Sequence, residues 1–228
     1  MLMPGFSSPR VPVNLRLFIA IACTLALTPL LAPQLQGVGA GASPVGIARI
    51  IVGETLIGAL IGFMARLFFL ALETLGMAAA MAIGVAGNLG APIDESEPLP
   101  PLVSLISLTA TTLFFVSDQH LEVFRGLSAS YIALPVAQGF DTRFGLVQVA
   151  DCIGKAFFLA LRIGSPFMVF SMTVNFAVGL VTRLTPQIPA YFISMPFIIV
   201  GGLYVLYLSF NQLMDVFIYG FANWLSTG

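Results

Sequence analysis

The sequence predicts an all-α, polytopic membrane protein of long, kinked helical hairpins, and three observations carry that prediction. Charge is scarce: nine basic and ten acidic residues stand among 228. Charges are also segregated, with none from Leu17 to Ala48, Thr74 to Ile93, Pro98 to Ser117, Ile163 to Thr182 or Leu184 to Met214. About 20 apolar residues in a helix cross the roughly 30 Å hydrocarbon core of a bilayer. Finally, the 58% hydrophobic fraction lies well above globular composition.

The elements follow in order. Met1 to Pro12 holds three prolines and Gly5 and is not regular helix throughout. Leu15 to Leu31 reads as the first long helix, a membrane helix rather than a cleaved signal because more apolar segments follow. Arg10 and Arg16 would then lie on the cytoplasmic side. Gln34 to Pro44 is a Gly-rich connector. Its match of Gly37, Gly39 and Ala42 to a dinucleotide fingerprint has neither a strand before it nor an acid about 20 residues on.

Val45 to about Asn88 reads as one bent helix or a helical hairpin. Gly58 and Gly62, then Gly76, Ala80 and Gly84, place small residues every fourth position, the spacing that lets helix backbones approach closely. Leu89 to Pro101 breaks the pattern with four prolines and three acids. Lipid cannot solvate irregular backbone, so this loop belongs in water, at the aqueous edge or in a protein cavity.

Leu102 to Val116 is the next helix, and Ser117 to His120 reads as a turn with Asp118 as N-cap. Glu122 and Arg125 pair at i, i+3, and Pro135 and Gly139 end the short segment. Phe144 to Leu180 is a long helix with a kink at Pro166. On it Gln148, Asp151, Lys155 and Arg162 fall within about 60° of one another, a polar stripe suited to protein or water. Thr182 to Pro189 is a polar corner. Tyr191 to Leu225 is the last helix, opened at Pro196 and Gly201-Gly202, with Trp224 suited to a membrane interface.

Little here points to chemistry. No catalytic, cofactor-binding or metal-ligating set emerges: a single His120 excludes a two-histidine metal site, and no nucleophile elbow or phosphate loop occurs. Cys23 and Cys152 read as small buried hydrophobes. With one lysine, Lys155, the chain lacks the basic stripe that nucleic acid requires. Glu54, Arg66 and Glu73 lie inside the long second helix, where buried charge needs partners. They read as ion pairs or interhelical contacts within an assembly. The alternative is the site of a small-solute secondary transporter.

Several stretches resemble the FliR family of flagellar biosynthetic proteins and its relatives in type III secretion injectisomes. Pro9-Arg10-Val11-Pro12 with Arg16 resembles the family's basic, Pro-bearing lead into an early helix, and Glu54-Thr55-Leu56-Ile57-Gly58 its E-x-L-I-G segment. Gly76 and Gly84 precede Ile93-Asp94 as glycines precede an acidic turn there. Phe114, Phe115 and His120-Leu121 are similar to the region before its short middle segment. Asn175, Gly179, Arg183, Pro186-Gln187 and Pro196 match its C-terminal N-x-x-x-G, R-x-x-P-Q and P pattern. The chain departs from the family where Asp94 is followed by Glu95 rather than proline, and where Gln119 replaces a small residue.

The resemblance implies one FliR-like membrane domain over residues 1–228, in the FliR-like export-gate arrangement, with the family's first helical segment missing ahead of Met1. It implies a non-enzymatic subunit of the flagellar export gate in the bacterial inner membrane, at the basal body, or alternatively of an injectisome gate. It needs no cofactor. FliP-like and FliQ-like subunits, an FlhB-like protein and unfolded export substrates are its implied partners. The resemblance also turns the loop into a channel plug formed by Leu89, Pro92, Ile93, Asp94, Glu95, Glu97 and Pro98. Glu54, Gly58, Gly62, Arg66, Glu73, Gly76 and Gly84 become helix-packing or subunit-interface positions.

Overall fold

The computed structural model describes residues 2–3, 5–6, 11–36, 43–86, 99–133, 142–187 and 189–227. Among the described residues six helices follow one another: α1 Val13–Leu35, α2 Pro44–Ala82, α3 Pro101–Val116, α4 Gln119–Ala133, α5 Thr142–Leu184 and α6 Ala190–Thr227. Among the described residues there is no strand. Among the described residues four helices are long and apolar enough to cross a membrane, and α3 with α4 makes a fifth candidate, bent by 67°. The all-α, multi-pass class expected from charge segregation is therefore the observed one.

Surface chemistry agrees with a lipid or protein environment. Large apolar side chains such as Phe18, Leu25, Phe158, Phe176 and Tyr207 are exposed along the helices, which water would penalise. Exposed hydroxyls fold back onto their own helix: Thr24 donates to the Ala20 carbonyl, Thr55 to Ile51, Thr109 to Leu105 and Thr173 to Val169. A hydroxyl so bonded asks nothing of a solvent that cannot answer.

Helices α1 and α6 run past residues that the sequence suggested would end or open them, and α5 runs through Pro166 as the sequence suggested. Helix α1 encloses Pro29 and Pro33, α5 encloses Pro166, and α6 encloses Pro196 together with Gly201 and Gly202. Proline removes the amide that would bond the carbonyl four residues back. At Pro166 that carbonyl belongs to Arg162, and the Ser165 hydroxyl donates to it at 2.9 Å. The freed acceptor is satisfied within the helix, so the helix continues. Helix α2 is likewise one 39-residue helix, not a hairpin.

The chain divides into two compact units, residues 1–69, 114–155 and 221–228, and residues 70–113 with 156–220. In the first, α1 lies beside α4, and the fully or nearly buried Phe68, Phe114 and Phe221 form the core. Trp224 is only 7% exposed, packed 5.0 Å from the Phe68 ring and 5.6 Å from Phe221. It is a core residue, which corrects its expected place at a membrane interface. In the second unit Val103, Ile106, Ala110, Ala80 and Ile83 are almost wholly buried. A Cβ on Gly76 would meet Val103 at 3.4 Å and Ile106 at 3.8 Å, while the Ser107 hydroxyl donates to Glu73 at 3.0 Å. Rising numbers on one helix meet falling numbers on the other, so α2 and α3 run antiparallel there.

Candidate functional site

The α2–α3 hairpin carries the segment that the sequence marks as a plug. Leu89, Pro92, Ile93, Asp94, Glu95, Glu97 and Pro98 lie outside the described residues; both roots of their loop lie within them. At the first root, Gly84 takes a left-handed φ of +76°. The Val85 amide donates to the Ala80 carbonyl at 2.9 Å and the Gly84 amide to Met81 at 3.1 Å, the paired bonds of a Schellman motif. Helix α2 therefore stops at Ala82, short of Asn88. Gly84 serves as the stop rather than as a continuation of the small-residue stripe, since a side chain in that backbone region is strained.

At the second root, the Ser104 amide bonds the Pro100 carbonyl at 3.0 Å and Pro101 is the first helical residue, where its fixed φ fits and its missing amide costs nothing. The first root is held from the side as well. A Cβ on Gly202 of α6 would fall onto the Ile83 side chain, with the Ile83 Cα 3.2 Å away. Nearby in the same unit is a void of about 10 Å³ among Leu72, Gly76, Ile106, Gly164 and Phe167, too small and too apolar to hold a ligand.

Within the chain itself the charges inside α2 are not buried: no polar or charged residue is buried among the described residues. Glu54 is half-buried and takes a hydrogen bond from the Tyr131 hydroxyl of α4. Glu73 takes the Ser107 bond, and Arg66 is exposed. The three do not converge on one site. Of the stacked glycines, Gly62 faces Leu2, with 2.9 Å from its would-be Cβ to the Leu2 Cβ, whereas Gly58 has nothing within 4 Å. Among the described residues no three His, Cys, Asp or Glu groups gather in a metal-binding arrangement.

The turn between α3 and α4 departs from a simple cap. Asp118 sits at φ +56° and accepts the Leu121 amide on its backbone carbonyl at 2.9 Å. His120 stacks 5.4 Å from Phe115 and 6.4 Å from Phe114. Its Nδ1 is shut from solvent without a hydrogen-bond partner among the described residues, so it is not the locally bonded turn histidine that the sequence suggested. Glu122 and Arg125 do pair.

The chain matches the family described as bacterial export proteins, family 1, over residues 1–224. It belongs to that family. Flagellar biosynthetic protein FliR of Caulobacter vibrioides is 26% identical over 230 residues, covering 95% of this chain and 90% of that protein. FliR of Escherichia coli is 25% identical over 203 residues, 88% of this chain and 75% of that protein. The Yop proteins translocation protein T of Yersinia pestis is 28% identical over 148 residues, covering 63% and 56%.

The residues that carried the family resemblance at the C-terminal corner are near one another in the chain and exposed. Asn175 donates to the Ser171 hydroxyl at 3.1 Å, Gly179 has open space around it, and Arg183 stands in the last turn of α5, where a cation complements the helix dipole. The helix ends at Leu184, two residues inside the corner that the sequence placed at Thr182. Pro186 and Gln187 are exposed in the turn. Sequence reasoning missed the aromatic core of Phe68, Phe69, Phe114, Phe221 and Trp224. Its members come from three helices, α2, α3 and α6, and no local spacing joins them.

Proposed function

We propose that this export-family protein is a membrane subunit of the flagellar type III protein export gate. It helps form the channel for unfolded flagellar substrates and contributes the loop after α2 as a plug. The chain acts as one membrane domain in the bacterial inner membrane at the basal body. It assembles with FliP-like and FliQ-like subunits and an FlhB-like protein, and performs no covalent chemistry. The observation that carries this reading is the family match from end to end. The rigid loop roots add support: a Schellman stop on one helix and a proline start on its antiparallel neighbour suit a segment that must return to one closed position.

In the closed state Leu89 and Ile93 seal the pore, and Pro92, Pro98, Pro100 and Pro101 stiffen the loop. Asp94, Glu95 and Glu97 keep it hydrated and easily displaced by a passing chain. The resemblance to the Yersinia translocation protein favours a second reading, service in an injectisome gate.

A strain lacking the gene should lose flagellin and hook protein from the medium and stop swimming, with both restored by the gene. Complementation by a variant with the loop shortened should restore secretion but raise ion leakage through the closed gate. Intact motility and secretion in the deletion strain would overturn the flagellar reading and bring the solute transporter forward. Unchanged leakage would remove the plug alone.

A further inference from the structure

We infer that Glu73 is a positioning residue: the hydrogen bond it takes from Ser107 selects between two registers in which the α2–α3 hairpin can pack. The Ser107 hydroxyl departs from its neighbours on α3. Thr109 donates to the Leu105 carbonyl at 2.8 Å, Thr111 to the Ser107 carbonyl at 2.8 Å and Thr112 to the Leu108 carbonyl at 2.9 Å, each along its own helix. Ser107 instead crosses to Glu73 of α2 at 3.0 Å. Four residues on, Thr111 lies on the same face of α3 and is half-buried as Ser107 is. Helix α3 therefore offers Glu73 a second hydroxyl one turn from the first.

Apolar packing does not choose between the two. Helices in lipid gain little from covering apolar surface with one another, so close fit decides. On this side α2 presents Gly76, Ala79 and Ala80, small residues over which a neighbour can slide. In the observed register a Cβ on Gly76 would meet Val103 at 3.4 Å and Ile106 at 3.8 Å. Because the helices are antiparallel, bringing Thr111 to Glu73 carries Val103 past Gly76 to the level of Ala79 and Ala80, and Ile106 takes its place. Both alanines are almost wholly buried and too small to obstruct the valine. The opposite slip, which brings Ser104 to Glu73, sets Val103 at the level of Leu72 and Glu73, where the side chains are large. Two registers remain.

One polar contact settles such a choice, as a single polar residue settles register in a coiled coil. The change from Ser107 to Thr111 would advance Pro101, the start of α3, by four residues or about 6 Å along α2. Glu73 thereby fixes where the two loop roots, at Gly84 and Pro101, stand relative to each other. The consequence for ion leakage rests on the reading of the loop as a plug; the register does not.

The test reads the register in the full chain reconstituted in lipid, by dipolar EPR between nitroxides carried on ketone-bearing phenylalanine analogues at the exposed Met81 and Leu108. The parent chain should give one distance. Ser107→Ala should add a second, shorter by up to about 6 Å, and Thr111→Val in that background should abolish it. Thr111→Val alone should keep the parent distance, and so should Glu73→Gln, whose amide oxygen still accepts the Ser107 hydroxyl. Should Ser107→Ala fail to fold, the exchanged pair Glu73→Ser with Ser107→Glu decides, since it remakes the contact from the other side and should return the single parent distance. One unchanged distance in both Ser107→Ala and Glu73→Leu, even with a lowered melting temperature, would overturn the inference, because apolar packing would then fix the register. So would a second distance that survives Thr111→Val, or a broad spread in the exchanged pair. A slip in Ser107→Ala with unchanged leakage through the assembled gate would count against the plug and leave the register standing.

Discussion

Gly202→Ala should destabilise the detergent-purified protein by about 1–3 kcal/mol, the usual range for forcing atoms into a packed core, and Gly202→Leu by more. The reason lies in what a Cβ would strike. At Gly202 it would fall on the Ile83 side chain beside the backbone, with Cα at 3.2 Å, and neither can swing away. Gly164 and Gly220 look as crowded, with leucine methyls at 2.7 and 2.6 Å. Those neighbours, however, are the ends of the Leu75 and Leu159 side chains, which can change rotamer. Gly164→Ala and Gly220→Ala should therefore cost less than Gly202→Ala, and Gly58→Ala, with open space around it, should cost nothing. Thermal unfolding of the four variants in one detergent gives the ranking. Equal losses at Gly202 and Gly220 would refute the close approach of α6 to the end of α2. Because Ile83 directly precedes the Gly84 stop, Gly202→Ala should also disturb the loop root and raise leakage more than an equally destabilising change elsewhere.

The helices were legible in part because charge is scarce along them: the charge-free run from Pro98 to Ser117 contains α3, the other runs each overlap a long helix, and α3 begins within one residue of the expected start. What misled was punctuation. Pro196 and Gly201-Gly202 would interrupt a helix in water, yet α6 continues through them, and Ser165 repairs the acceptor freed by Pro166 in α5. Outside water a helix is the cheapest way to satisfy backbone groups, so breakers lose force. Gly84 misled in the opposite sense. Its spacing from Gly76 and Ala80 fits a packing stripe, but only backbone geometry reveals the left-handed stop. Trp224 and His120 were misplaced because their neighbours, Phe68 and Phe221 for one and Phe114 and Phe115 for the other, matter through tertiary contact rather than local pattern. Of the candidate site, the sequence marked the loop and Glu73. It could not separate Gly62, packed on Leu2, from the open Gly58 one turn away.

Phe221→Ala should be the most damaging single truncation, costing about 3–5 kcal/mol. Phe221 is fully buried and its ring lies 5.5 Å from Phe68, 5.5 Å from Phe114, 6.0 Å from Phe69 and 5.6 Å from Trp224. The contacts with Phe68, Phe69 and Phe114 are edge-to-face, the arrangement that the ring quadrupole favours. In lipid the transfer of an apolar side chain from solvent contributes little, because the tails are as apolar as the core. The loss must then come from the cavity and the missing dispersion contacts, which no lipid chain can replace inside a closed core. The expectation follows that Phe221→Leu, which refills much of the space, recovers more than half of the stability, whereas exposed Phe176→Ala on α5 changes it by less than about 0.5 kcal/mol. Unfolding curves of the three variants read the difference. If Phe221→Ala proved as mild as Phe176→Ala, the ring cluster would not be the core of its unit. If Phe221→Leu were as damaging as Phe221→Ala, ring geometry rather than filled volume would be what holds α2, α3 and α6 together there.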